Sequence, residues 1–215
     1  MLAHHPGDRP KLWFALDMLA MHGVQEGRPG EVLRISEELL SELRLPPRVG
    51  LMARVRRARA LADIGDQTRA LSELDVARVA LEDSIGPRDP SWTWWINELE
   101  LAGHEGEALL TGGDADWALT GLQRAHELSE DFVQGGRGTL YYTVSILTAY
   151  ARAGDWPECE ATLISLPTML EVVNSGRNRH GLRTTLREIE CTAEAPSWLK
   201  DLARDVASTP QLATA

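Results

Sequence analysis

The sequence predicts an all-α protein, a stack of about ten antiparallel helices arranged as pairs. Apolar residues recur at helical spacing along almost all of the 215 residues, and alternating strand-like runs are nearly absent. One set of small residues and leucines also returns in register after each of four glycines.

The first helix is expected over 9–25, where Leu12, Ala15, Leu16 and Leu19 fall on one side. Arg28-Pro29-Gly30 ends it and a second helix follows over 29–43. Pro46-Pro47 then opens a third over 47–64, because proline fits the first helical turn but not the interior. Gly65-Asp66 separates it from a fourth over 66–82. After Gly86-Pro87 a long helix is expected over 91–111, with Leu99, Ala102, Leu109 and Leu110 in phase. Gly112-Gly113-Asp114 introduces a helix over 114–130. Gly135-Gly136-Arg137-Gly138 lacks the strand and GK[ST] ending of a phosphate loop and reads as a connector. Helices over 137–153, 155–172, 179–192 and, past Pro196, 196–207 complete one helical-repeat domain, 9–207, between flexible ends at 1–8 and 208–215.

The repeat emerges on aligning Gly27, Gly65, Gly113 and Gly154. Five positions later stand Val32, Ala70, Ala118 and Cys159; nine later Ser36, Leu74, Leu122 and Leu163; twelve later Leu39, Ala77, Ala125 and Leu166. Seven positions before the glycines stand Ala20, Ala58, Gly106 and Leu147. Small residues on facing helices permit close approach, and the leucines fill the groove between neighbouring pairs. The pattern resembles the tetratricopeptide repeat over roughly 9–172. Its spacings of 38, 48 and 41 residues exceed the usual 34, Gly23 replaces the expected aromatic, and the closing turn proline is missing.

A narrower resemblance rests on Asp89-Pro90-Ser91-Trp92-Thr93-Trp94-Trp95-Ile96-Asn97-Glu98-Leu99-Glu100-Leu101-Ala102-Gly103, on Phe132-Val133 with Leu140-Tyr141-Tyr142, and on Tyr150-Ala151-Arg152-Ala153-Gly154-Asp155. These are similar to the C-terminal repeat regions of actinobacterial helix-turn-helix transcriptional regulators of the Xre type. The resemblance spans most of 50–205 and implies a sensor or oligomerisation module. The chain opens at Met1 in repeat-like sequence, and no segment has the basic charge and pattern of a helix-turn-helix domain. The expectation is therefore either the sensor half of a regulator or a stand-alone relative.

Composition narrows the partners. Lys and Arg number 22 against 32 Asp and Glu, and the formal charge of −10 opposes binding to nucleic acid or anionic lipid through this segment. The polar N-terminus has no signal-peptide core and no apolar run reaches about 20 residues, so a cytoplasmic location is expected. Cys159 and Cys191 have neither metal-knuckle nor redox spacing; no metal and no cofactor is expected.

The candidate site residues cluster around three tryptophans. On a continuous helix Trp94, Glu98, Leu101 and Glu105 share one face, with Trp92 and Trp95 on the adjoining one. Large apolar walls with a few polar groups suit a ligand pocket; packing of the same rings into the core is the competing reading. Glu100 and His104 stand four residues apart, as metal ligands or as part of a solvated acidic face, and His126 is a candidate partner for His104. Tyr141 and Tyr142 join the ligand candidates. So do Arg54 and Arg57 from the cluster Arg54, Arg56, Arg57 and Arg59, which would grip an anion or pair with neighbouring glutamates. A second cluster, Arg177, Arg179, His180, Arg183 and Arg187, carries the same two readings.

With no nucleophile elbow or phosphate loop, the residues favour a module that binds a small molecule, a peptide or a partner protein. The alternative is a specialised-metabolite enzyme holding its substrate in a Trp-lined pocket. Homodimerisation through apolar end faces is a third expectation.

Overall fold

A computed structural model describes residues 9–130 and 136–213. The expectations for residues 1–8, for Phe132-Val133 and for Gly135 lie outside them. The described residues form helices and turns with no strand, and they fall into two compact units, Met1–Gly113 and Asp114–Ala215. The first holds α1 (Arg9–Gln25), α2 (Pro29–Leu40), α3 (Pro47–Asp63), α4 (Gln67–Ala80) and α5 (Glu98–Thr111). The second holds α6 (Ala115–Glu130), α7 (Arg137–Ala153), α8 (Trp156–Val172), α9 (Gly176–Cys191), α10 (Ser197–Ala207) and α11 (Pro210–Ala213). No helix among the described residues is long and apolar enough to cross a membrane.

The four glycines that align the repeat have positive φ, at 62°, 82°, 87° and 74° for Gly27, Gly65, Gly113 and Gly154. Each stands in the left-handed region where a Cβ is costly, so the sequence uses glycine to stop one helix and turn into the next. The amides of Arg28, Asp66 and Asp155 reach back five residues to the carbonyls of Gly23, Leu61 and Tyr150, closing the Schellman-type turn. The carboxylates of Asp66, Asp114 and Asp155 then accept the amides of Arg69, Trp117 and Glu158 and cap the following helix. One Gly-Asp dipeptide therefore both ends a helix and starts its partner.

The small and leucine positions of the repeat are all buried, from Val32, Ala70, Ala118 and Cys159 through Leu39, Ala77, Ala125 and Leu166. At Gly23 a Cβ would lie 2.7 Å from Val32 Cγ2, so the missing aromatic is required by the close approach of α1 and α2. In the first unit α3 is the central helix, touching α1, α2, α4 and α5. One apolar cluster, around Trp13, Ile35, Leu39 and Val49, lies on its one side; another, around Met52, Leu74, Ile96 and Leu101, lies on the other. The second unit has one core, built from Leu140, Leu147, Leu163, Leu182 and Leu199 and closed by Leu212.

Three expectations are corrected. The helix expected over 91–111 is a 3-10 turn, Ser91–Trp95, followed by α5. Ile96 and Asn97 are extended, and the Asn97 side chain accepts the Glu100 amide at 3.1 Å, so the asparagine starts a new helix. Helix α9 starts at Gly176, three residues early, because the Ser175 hydroxyl accepts the Asn178 amide. Residues 208–213, expected as part of a frayed tail, carry α11 with Leu212 buried.

Candidate functional site

The break at Ile96-Asn97 decides where the tryptophans go. Trp92 is half-buried between both apolar clusters of the first unit, with its ring edge-on to Phe14 at 5.4 Å between centroids. Trp95 lies beneath the Arg56 guanidinium, 5.5 Å from the ring centre, a cation–π contact. Trp94 faces solvent at 70% exposure. The turn is fixed from below by Arg48, which donates to the Ile96 carbonyl and, through its amide, to Asp89 at 3.3 Å. Trp94 consequently lies outside the helix that carries Glu98, Leu101 and Glu105. Leu101 is buried in the core, Glu98 is exposed, and Glu105 pairs with Arg78, whose pKa that hydrogen bond raises.

Behind Trp95 the first unit encloses a chain of charged groups. Asp17 and Arg56 are 1% and 4% exposed and pair at 3.0 Å. Arg56 also approaches His104 Nε2 at 3.3 Å, and Arg59 approaches Nδ1 at 3.3 Å. Glu107 pairs with Arg59 and comes within 4.0 Å of the same ring; Glu100 comes within 3.7 Å. An imidazole nitrogen accepts from an arginine only where it carries no proton, so the tautomer of His104 sets which arginine donates to it. Arg54 and Arg57 both reach Glu73, at 2.8 and 3.5 Å. The α3 arginines thus meet carboxylates supplied by α1, α4 and α5. Burial pushes the carboxyl of Asp63, at the end of α3, above its ordinary pKa, and Arg59 pulls it partly back.

The sequence reading missed Asp17 and Glu107. Asp17 stands in phase with Trp13 and Ala20 on the buried stripe of α1, and a carboxylate at such a position calls for a buried cation.

In the second unit a cavity of about 450 Å³ opens between α6, α7 and α8. Thr139, Thr143, Ile146 and Tyr150 form its floor along α7, at the i, i+4, i+7, i+11 spacing of one helix face. Gln123, His126 and Glu130 of α6 form one wall; Glu158, Thr162 and Met169 of α8 stand opposite. The Gln123 amide donates to the Tyr150 hydroxyl at 3.1 Å, and His126 Nδ1 lies 4.0 Å from the Glu130 carboxylate. Among the described residues no lysine or arginine lines the cavity. Tyr141 and Tyr142 are on α7 but off this floor: their rings meet edge-on at 5.3 Å, and the Arg177 guanidinium covers Tyr141 at 4.3 Å. Cys159 is buried nearby in the core, its thiol pushed up to about 12 by burial and by Asp155 and Glu158.

Among the described residues no three His, Cys, Asp or Glu side chains gather as a metal site. No family model and no curated protein matches the chain. Two solved structures do: TPR-like repeats of a Podosopora anserina protein named for a kinesin light chain, and a variant of the same protein. The first is 17% identical with a TM-score of 0.59 and covers 92% of this chain and 95% of its own. The second is 16% identical at the same TM-score, covering 95% and 97%. The chain has a TPR-like helical-repeat fold. That fold accounts for the degenerate repeat: register is kept by buried positions and turn glycines while spacing and surface diverge.

Proposed function

We propose that the chain is a non-catalytic, cytosolic binding module whose α6–α7–α8 groove receives a short extended segment of a partner protein carrying positive charge. The groove floor carries the proposal. From Thr139 to Tyr150 it runs along three turns of α7, about 16 Å at 1.5 Å per residue, the length of about five extended residues. Hydroxyl and amide groups along it offer hydrogen bonds to a peptide backbone, and Ile146 and Met169 accept an apolar side chain. Glu130 and Glu158 at the walls favour a lysine or arginine on the ligand. The charged groups of the first unit, by contrast, are engaged with one another, which fits a scaffold better than an acid–base centre.

The likeness of the tryptophan and tyrosine segments to Xre-type regulators gives the module a setting, as the sensing part of a bacterial transcriptional regulator or a stand-alone relative of one. The test is fluorescence anisotropy with labelled five- to eight-residue peptides of the form Lys-Ser-Leu-Ser-Lys against the intact chain. Ala161 is exposed beside the groove. Replacing it with arginine fills the space and reduces the local negative charge, and should weaken binding at least tenfold with an unchanged melting curve. Equal binding by A161R would overturn the proposal.

A further inference from the structure

The two carboxylates of the α6–α7–α8 groove stand at its opposite ends. At one end the hydroxyls of Ser129 and Thr139 are 3.2 Å apart, which ties the last turn of α6, and with it Glu130, to the start of the floor. At the other end the Asp155 amide donates to the Tyr150 carbonyl at 3.0 Å, and the Asp155 carboxylate accepts the Glu158 amide at 3.4 Å. Glu158 is thereby held beside Tyr150, at the far end of the floor. Both glutamates are exposed. Between them the groove presents acceptors. The hydroxyls of Thr143, Thr162 and Ser165 donate to carbonyls of their own helices at 2.8, 2.7 and 2.8 Å. A hydroxyl has one proton, so these lining oxygens are left to accept. Ile146, one turn before Tyr150, is the apolar residue of the floor.

Resting on the extended-segment reading above, we propose that the groove selects the spacing of two basic residues on its ligand. One lysine or arginine meets Glu130 and the other meets Glu158, four positions apart, with an apolar residue between them over Ile146. The argument is length and phase. The first, third and fifth residues of an extended segment point the same way, and the first and fifth are about 13 Å apart. Thr139 and Tyr150 are about 16 Å apart along α7, a difference that long basic side chains close. A spacing of two positions covers about 7 Å and leaves one carboxylate unmet, and a spacing of six covers about 20 Å and overshoots. A spacing of three turns the second charge away from the floor. Backbone N–H groups of the segment supply donors for Thr162 and Ser165 on the α8 wall.

The probes are fluorescein-labelled serine nonapeptides of equal charge, each with one leucine between two lysines set two, three, four or six positions apart. They are titrated with the intact chain by anisotropy at 50 mM NaCl. The peptide with lysines four apart should bind about fivefold more tightly than the others, the size expected of two exposed ion pairs. In E130Q and in E158Q the four peptides should bind within about twofold of one another, because one end no longer pairs. Glu160 is exposed on α8 outside the groove lining, and E160Q should keep the preference. Circular dichroism of each variant checks that the fold persists. Equal affinity at every spacing, with binding still lost in A161R, would overturn the spacing rule and leave the groove reading standing. No binding at any spacing, or binding unchanged by A161R, would overturn both. A preference that survives in E130Q and E158Q would also overturn the rule. So would displacement of the peptide by a linear tetraamine below the peptide's own Kd, which would mark a small polycation as the occupant.

Discussion

The arginines of α3 and those of α9 look alike in sequence and do opposite things in the fold. Arg56 and Arg59 run inward from the central helix of their unit and meet Asp17 and Glu107 on neighbouring helices. Arg179 and Arg183 meet neutral carbonyl or amide oxygens. The helices packed against them differ: α1, α4 and α5 bring carboxylates to the arginines of α3, whereas beside α9 the helix α7 has none and Asp201 of α10 pairs with Arg204. A basic cluster in an acidic protein therefore becomes structure or surface according to its neighbours.

The largest effect that would sharpen this contrast is at Arg56. Arg56→Ala leaves Asp17 charged and buried, and should cost about 3–5 kcal/mol of stability in urea unfolding. The apolar pair D17L/R56M should recover most of that, since both charges leave together. Arg187→Ala on α9 should stay within about 0.5 kcal/mol. Similar losses at Arg56 and Arg187 would erase the distinction.

Next comes the tryptophan turn. Trp92→Ala should cost about 3 kcal/mol by opening space between the two apolar clusters, while exposed Trp94→Ala should change stability by less than about 0.5 kcal/mol. A ligand that protects Trp94 from fluorescence quenching would instead give that ring a recognition role.

Smaller still is the alkaline response of the second unit. Cys159 has its pKa raised from 9.0 to about 12 in the fold, so above pH 9 the unfolded chain releases a proton that the folded one keeps. Stability from this thiol is complete below pH 9 and is lost as pH rises toward 12. Urea unfolding between pH 8 and 10.5 should therefore show a shallower decline for Cys159→Ala than for the parent. Parallel curves would contradict the assigned burial.

Much of the fold was legible in the sequence because glycine and proline act locally. The four aligned glycines all proved left-handed, and the Gly-Asp pairs proved to be cap and stop at once. The tryptophan segment was harder. Its helical phase looked continuous, and the capping power of Asn97 after Pro90 was the signal passed over. Asp17 could have been noticed from its place on the stripe of Trp13 and Ala20, but its partner lies 39 residues away on another helix. The groove was partly readable, since Thr139, Thr143, Ile146 and Tyr150 share a phase, yet only packing shows that α6 and α8 leave space above them. Which arginines keep their charge exposed depends on neighbours far along the chain, and local periodicity does not report that.

Hydrogen–deuterium exchange on the intact chain, with and without a saturating basic peptide, tests the division of labour most directly. The account predicts that the basic peptide protects α6, the floor of α7 and α8. Helices α1 to α5 should exchange as in the free protein. Protection centred instead on Ser91–Trp95 and His104 would contradict it and return recognition to the tryptophan turn.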